Sequence, residues 1–224
     1  MLAFSSLLGN VEGQNIYRIW YDKPASYWEE ALPVGNGRIA AMVFGDPQLE
    51  QIQLNEETVS AGSPYQNYNE EAKTALPEMR RLIFEGKYEE AQNMAATKIL
   101  SQVGNEMPYQ TVGRLNIRYQ DHKKVNNYYR DLDISNAVAV TRYEVDGVEF
   151  TEETFASFTD QLVIRHIKAS KPGAINCELF FNTPMRDPKR SIYGKKGLRL
   201  EGITHGSRYF PGKVHYCADL DVKH

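Results

Sequence analysis

WYDKPASYWEEALPVGNGRIAAMVFGDPQLEQIQLNEETVSAGSP, residues 20–64, decides the fold. It opens with an aromatic-rich approach that Pro24 interrupts, and a short turn over residues 27–32 precedes Pro33. Val34-Gly35-Asn36-Gly37 reads as a turn, because glycine and asparagine tolerate positive φ. Residues 38–44 are a mostly apolar strand, Gly45-Asp46-Pro47 reverses the chain, and residues 49–54 alternate apolar and polar on the way back. That pattern is a β-hairpin with one face buried.

Working outward, residues 15–21 (NIYRIWY) read as a first strand. Between residues 69 and 102 the period changes. Ala72, Leu76, Met79, Ile83 and Phe84, then Tyr88, Ala91, Met94 and Ala95, fall at helical spacing, which predicts an inserted helical pair joined at Glu85-Gly86-Lys87. Alternation returns at 114–119. Asp146-Gly147, set between alternating runs at 137–145 and 148–155, predicts a hairpin with a type I′ turn. Residues 161–169 and 174–181, separated by Lys171-Pro172-Gly173, read as another hairpin, and 197–202 and 214–222 as two last strands. About ten short strands with turn residues between them indicate a mainly β fold, a large antiparallel β-sandwich with an inserted helical pair. The alternating run is still in progress at residue 224, so a sandwich domain over 15–224, truncated at its C-terminal end, is expected.

The 224 residues are enough to bury a core without staples, and 42% hydrophobic with 25% charged residues is an ordinary globular balance. A net charge of -3 argues against a nucleic-acid surface, which needs a concentrated basic face. Residues 1–14 read as the remnant of a secretory signal, an apolar run without its charged start and too short to span a membrane, so the protein is expected to be periplasmic or secreted. Cys177 and Cys217 are expected to be buried free thiols, with a disulfide the alternative.

No motif dictates a cofactor. Residues 34–38 lack the third glycine, the Lys-Ser/Thr pair and the helix of a phosphate loop. The five histidines, His122, His166, His205, His215 and His224, show no metal spacing, so no metal is expected and each histidine reads as structural or exposed. Asn55-Glu56-Glu57-Thr58 is a polar cluster at a strand end beside a flexible loop, the kind of place where a site forms. Adjacent strand residues point to opposite faces, so Glu56 and Glu57 do not make the opposed carboxyl pair of a glycosidase. Trp20 and Trp28 are candidates for stacking on the apolar C–H face of a sugar, with core packing the plainer reading. Trp28 is the better candidate because it lies outside a strand, and residues 107–113 supply a second aromatic loop.

The motifs WYDKPASYWEEALPVGNGRIAAMVFG and IQLNEET, then LPEMRRLIFEGKYEEAQ, MPYQTVGRLNIRY and YYRDLDISNAVAVTRYEVDGVEFTEETFASFTDQLVIRHI, occur in order. Together they resemble the N-terminal region of the glycoside hydrolase family 95 proteins, the α-L-fucosidase-like enzymes. The resemblance implies a supersandwich-like β-domain that packs on an (α/α)₆ catalytic barrel, which would follow this region. In the family an inverting reaction uses a Glu general acid with Asn and Asp groups that activate water, all in that barrel, so no catalytic residue carries over to this chain. Val59-Ser60 stands where many members have a Leu-Trp pair. Trp28, Asn36, Arg38, Asn55 and Glu56 are the candidates for a substrate-binding or barrel-facing surface, and a fucosylated or related oligosaccharide is the partner expected through the parent enzyme. Two rivals stand beside this reading. One is a free-standing carbohydrate-binding module using Trp28 and nearby tyrosines, and the other is a self-sufficient enzyme using Glu56 or Glu29.

Overall fold

The computed structural model describes residues 17–62, 66–101, 107–206 and 210–223. Its described residues form a mainly β, antiparallel structure with a helical pair inserted between strands. The contacts divide it into two units, one made by the segment ending at Glu57 together with Gly113–Thr183, the other by Thr58–Val112 and Pro184–His224.

The first unit is a sandwich of two five-stranded sheets. One has the order β1-β6-β7-β8-β9, with β1 Arg18–Tyr21, β6 Val125–Asp133, β7 Val138–Val145, β8 Val148–Ser157 and β9 Leu162–Ala169. The other has the order β10-β5-β4-β3-β2, with β2 Leu32–Gly35, β3 Ile39–Val43, β4 Leu49–Glu56, β5 Gly113–Tyr119 and β10 Cys177–Asn182. β2 and β3 lie over β7, β8 and β9, so the sheets meet face to face. The alternating positions Ala41, Val43, Ile52, Leu115 and Ile117 of one sheet and Ala139, Tyr143, Val145 and Phe150 of the other fill the space between them.

The hairpin read from residues 38–54 is β3–β4, with Val43 opposite Ile52. β7–β8 closes through Asp146 and Gly147, both at positive φ, as a type I′ turn requires. Other readings change. Val34 and Gly35 belong to strand β2, and the turn begins only at Asn36. Residues 161–169 and 174–181 do not form a hairpin. β9 pairs with β8, while β10 crosses to the other sheet and pairs with β5, Leu179 opposite Ile117. A long loop through Gly173, at φ 73, allows that crossover as readily as a reversal. β6 was not foreseen, because its run Asn126 to Asp133 mixes inward Arg130 with outward aspartates and hides the period of two.

The second unit holds the helical pair, α1 Ala72–Phe84 and α2 Tyr88–Met94, and a three-stranded sheet of the order β11-β12-β13. Gly86, at φ 74, separates the helices, and Arg81 pairs with both Glu78 and Glu85 along α1. A π-helical turn over Ala95–Ile99 prolongs α2. Ala75, Leu82 and Ala91 are the buried helical positions, whereas Ile83 and Phe84, expected on the buried face, are exposed, Phe84 by 89%. Leu82 continues the stripe of Ala75 and Met79 at i+7 and i+3, and Phe84 falls to the other side. β11 Arg186–Tyr193, exposed throughout and carrying Pro188, was not foreseen; it edges β12 Gly197–Ile203, which pairs with β13 His215–Leu220. The cysteines are free thiols, but Cys177 is half-buried and Cys217 exposed rather than buried.

Candidate functional site

Three of the five candidate residues converge where β2 turns into β3. Asn36 organises the turn. Its Oδ1 accepts from the backbone N–H of Arg38 at 3.1 Å and of Ile39 at 2.9 Å, while its Nδ2 donates to the Ser157 carbonyl at 2.9 Å. Gly37 takes the left-handed conformation, φ 93, that the turn needs. Arg38 is thereby held over the end of β4, where its Nε lies 3.2 Å from Glu56 Oε1 and its carbonyl accepts from the Glu57 N–H at 3.0 Å. The register Ile39 opposite Glu56 and Ala40 opposite Asn55 fixes that geometry. The result is an ion pair at the rim of the sandwich, mostly solvated on the Arg38 side.

The other two candidates do not join it. Asn55 neighbours Glu56 on a strand, so it lies on the opposite face of the sheet. Trp28 is at the other end of β2, since Leu32 pairs with Val43 whereas Gly35 pairs with Ala40. It sits in a single 3₁₀ turn, Trp28–Glu30, 49% exposed. Arg130 fastens the segment around it, donating to the Lys23 carbonyl at 2.8 Å and the Glu30 carbonyl at 2.7 Å, and Ala25 N–H reaches the Phe44 carbonyl at 2.9 Å. The Ser26 N–H donates to Glu30 at 2.8 Å and holds its carboxyl below the usual carboxylate range, and the Glu30 contact pushes the Tyr27 phenol up. Glu29, exposed in the same turn, and Glu56 therefore stand at opposite ends of β2 and β3 and do not face one reacting atom. The loop at 107–113 belongs largely to the second unit, where Tyr109 bridges to Ser60.

The densest polar constellation was not foreseen and lies between the sheets. Glu50, completely buried on β4, accepts from the N–H groups of Phe44, Gly45 and Gln51 at 3.2, 2.8 and 3.0 Å. Its second oxygen takes Arg165 Nη2 of β9 at 2.7 Å, and the same Nη2 contacts buried Glu152 of β8. The hydroxyls of Tyr119 and Tyr143 both donate to Glu152 at 2.6 Å, and Arg165 Nη1 donates to Thr154 at 2.6 Å. Burial pushes both phenols well up, so they remain neutral donors. His122 lies flat on Tyr119, ring centroids 4.3 Å apart, and its Nδ1 is 2.9 Å from the Pro47 carbonyl. Burial lowers its pKa, against the pull of that carbonyl and of Asp121. The carboxylates and phenols here are buried and hydrogen-bonded, with only Arg165 Nε left without a hydrogen bond, so the arrangement holds sheets together and does not present a reacting carboxyl. The available signal was the charge that breaks the apolar face at Glu50, Glu152 and Arg165.

Among the described residues no group of three or more His, Cys, Asp or Glu could hold a metal ion, and no helix is long and apolar enough to cross a membrane. His166 faces Glu153 on the exposed side of its sheet and His205 faces the Pro184 carbonyl, while His224 lies outside the described residues.

Residues 19–222 match the family described as glycosyl hydrolase family 65, N-terminal domain. The chain belongs to that family. It is also homologous to α-L-fucosidase-like proteins. It is similar to Alpha-L-fucosidase 2 of Arabidopsis thaliana, 37% identical over 181 residues, which is 78% of this chain and 21% of that protein. Two proteins named Probable alpha-fucosidase A are more distant. The one from Aspergillus niger is 26% identical over 68% of the chain and 20% of its own length, and the one from Aspergillus oryzae 25% over 73% and 23%. The chain thus spans about a fifth of the length of the curated relatives it matches. The expected N-terminal β-sandwich domain of a glycoside hydrolase stands on these matches and on the two-sheet unit.

Proposed function

We propose that this chain is the N-terminal, non-catalytic region of an exported α-L-fucosidase-like inverting glycoside hydrolase of family 95 type. In this reading it packs on an (α/α)₆ catalytic barrel and helps to rim its pocket, and the substrate is a fucosylated or related oligosaccharide. The observation that carries the reading is the match to an N-terminal glycosidase domain across residues 19–222, together with a plant α-L-fucosidase 37% identical over most of the chain. The state of the carboxylates supports the assignment of chemistry elsewhere: Glu56 is occupied by Arg38, and Glu50 and Glu152 are buried in ion pairs. The Asn36–Arg38–Glu56 rim is the surface proposed to face the barrel, with Trp28 and Asn55 as separate contacts.

The test is an assay on 4-nitrophenyl α-L-fucoside with the purified 224-residue chain beside a protein extended through the downstream reading frame. The chain alone is expected to give no turnover and the extended protein to be active. Turnover by the chain alone that disappears in Glu56→Gln would refute the assignment.

A further inference from the structure

The outward face of β1 and β6 carries an aromatic pair that the folded sandwich does not use. Trp20 is 61% exposed, and its ring lies 6.2 Å from that of Tyr129, the planes 19° apart. The register sets this up. Trp20 is opposite Asp131, so Tyr129, two residues along β6, is its diagonal neighbour on the same face. An irregularity between Asn126 and Tyr129, with Asn127 at φ 52, turns Tyr128 inward to donate to the Gly45 carbonyl at 2.7 Å and leaves Tyr129 outward.

Beside the two rings lie two arginines and two aspartates. Arg18 contacts Asp131 and reaches Asp133 at 3.5 Å. Arg142, opposite Tyr129, keeps 46% of its side chain exposed and holds Nη1 3.7 Å from Asp131 Oδ1, beyond hydrogen-bond range. That oxygen is buried and makes no hydrogen bond. Asp131 is sealed from solvent, so the polar group that this face offers to a ligand is the half-exposed guanidinium of Arg142.

We propose that Trp20, Tyr129 and Arg142 form a surface site for a neutral pyranose ring. The sugar's C–H face stacks on the open face of the Trp20 indole, which Tyr129 backs, and one of its hydroxyls accepts from Arg142. Two positive and two negative side chains cancel, which selects against a phosphate, a uronate or a nucleotide and for an uncharged polyol. A pair that merely stabilised the sheet would bury its rings, whereas Trp20 leaves most of its surface in water. The site lies on a different sheet from the Asn36–Arg38–Glu56 rim and is independent of whether the chain serves a fucosidase; that reading only suggests which sugars to try first.

The chain has two tryptophans, so Trp28→Phe leaves Trp20 as its only indole fluorophore. In that background, titration with 2′-fucosyllactose and with maltohexaose is expected to give a saturable change in Trp20 emission with at least one of them. Polygalacturonate is expected to give none. Arg142→Gln and Tyr129→Ala, each checked for an unchanged circular dichroism spectrum, are expected to weaken binding about tenfold or more, the effect of losing one charge-assisted or stacking contact. No response to either neutral sugar, a response to polygalacturonate alone, or binding unchanged in both variants would overturn the proposal. A failure of the fucosidase reading shows instead as turnover by the chain alone.

Discussion

Replacing Arg165 by Met puts the interior of the sandwich to a quantitative test. Arg165 is the cation that Glu50 and Glu152 share, and both carboxylates are essentially inaccessible to water. Removing one partner of a buried ion pair costs about 3–5 kcal/mol, because the charge left behind has neither water nor a counter-ion. Glu50 retains three backbone N–H donors, which places the expected loss near the middle of that range, about 4 kcal/mol. Glu152→Gln is milder. Arg165 still faces Glu50, the amide oxygen can still accept from Tyr119 and Tyr143, and one charge-assisted bond is lost, about 2 kcal/mol. The double variant removes one of the two stranded charges, so it should be less stable than wild type by about 4 kcal/mol and not by the additive sum of about 6. Trp20 and Trp28 both lie in the first unit, so tryptophan emission in guanidinium chloride follows the sandwich. With an m-value of about 4 kcal/mol/M, a loss of 4 kcal/mol lowers the midpoint by about 1 M. A midpoint shift for Arg165→Met below about 0.25 M, or strict additivity in the double variant, would show that the shared guanidinium does not neutralise this interior.

Three further perturbations probe other parts of the same unit. Gly45 has φ 75, and a Cβ there would meet Tyr128 Oη at 2.8 Å and Arg130 Cδ at 2.9 Å, so Gly45→Ala should cost about 2–4 kcal/mol. Gly147→Ala, at φ 78 in open space, should cost only about 1 kcal/mol, and equal effects in denaturant titrations would contradict the packing argument. Arg130→Met strands the Lys23 and Glu30 carbonyls; it should destabilise by about 3 kcal/mol and, in a Trp20→Phe background, make Trp28 more accessible to acrylamide, a change whose absence would free Arg130 of its role in holding that loop. His122 has a lowered pKa in the fold, so the unfolded chain binds more protons just below its ordinary value of 6.5. Its contribution is therefore complete above about pH 6.5 and is lost as pH falls through the lower folded value. The stability difference between wild type and His122→Gln should shrink from pH 7.5 to pH 5.5, and a constant or growing difference would refute the assignment.

The parts of the fold legible in the sequence are those whose geometry is local. A type I′ turn needs two residues at positive φ, and Asp146-Gly147 between alternating runs supplies them. Gly86 between two helical periods is equally local. Strand partnership is not. Lys171-Pro172-Gly173 suits a reversal, yet β10 leaves β9 for β5, because nothing in a loop's composition states which sheet edge is open. The candidate rim shows the same divide. Asn36, Arg38 and Glu56 meet because a turn and a strand register bring them together within the β2–β3–β4 meander. Trp28 was grouped with them by nearness in sequence, and the direction of β2 carries it to the opposite end.

The interior charges show why an alternating pattern alone underdetermines a sandwich. Arg130 of β6, Arg165 of β9 and Glu152 of β8 come from one sheet and Glu50 of β4 from the other, two cations against two anions. An apolar face tolerates many staggers of one sheet over another, since hydrophobic contact has no direction. Arg165 reaching Glu50 across the gap, while Glu152 takes it from within its own sheet, is satisfied in one stagger only. A slip of one residue in β4 would send Glu50 to the outer face, expose Gln51 to the core and leave Arg165 with a single partner. The penalty for that slip is the several kcal/mol of an unmatched buried charge, larger than the few tenths to one kcal/mol by which alternative cross-strand pairs differ. Residues that break the hydrophobic pattern in sequence are thus the ones that select among packings which the pattern leaves nearly equal.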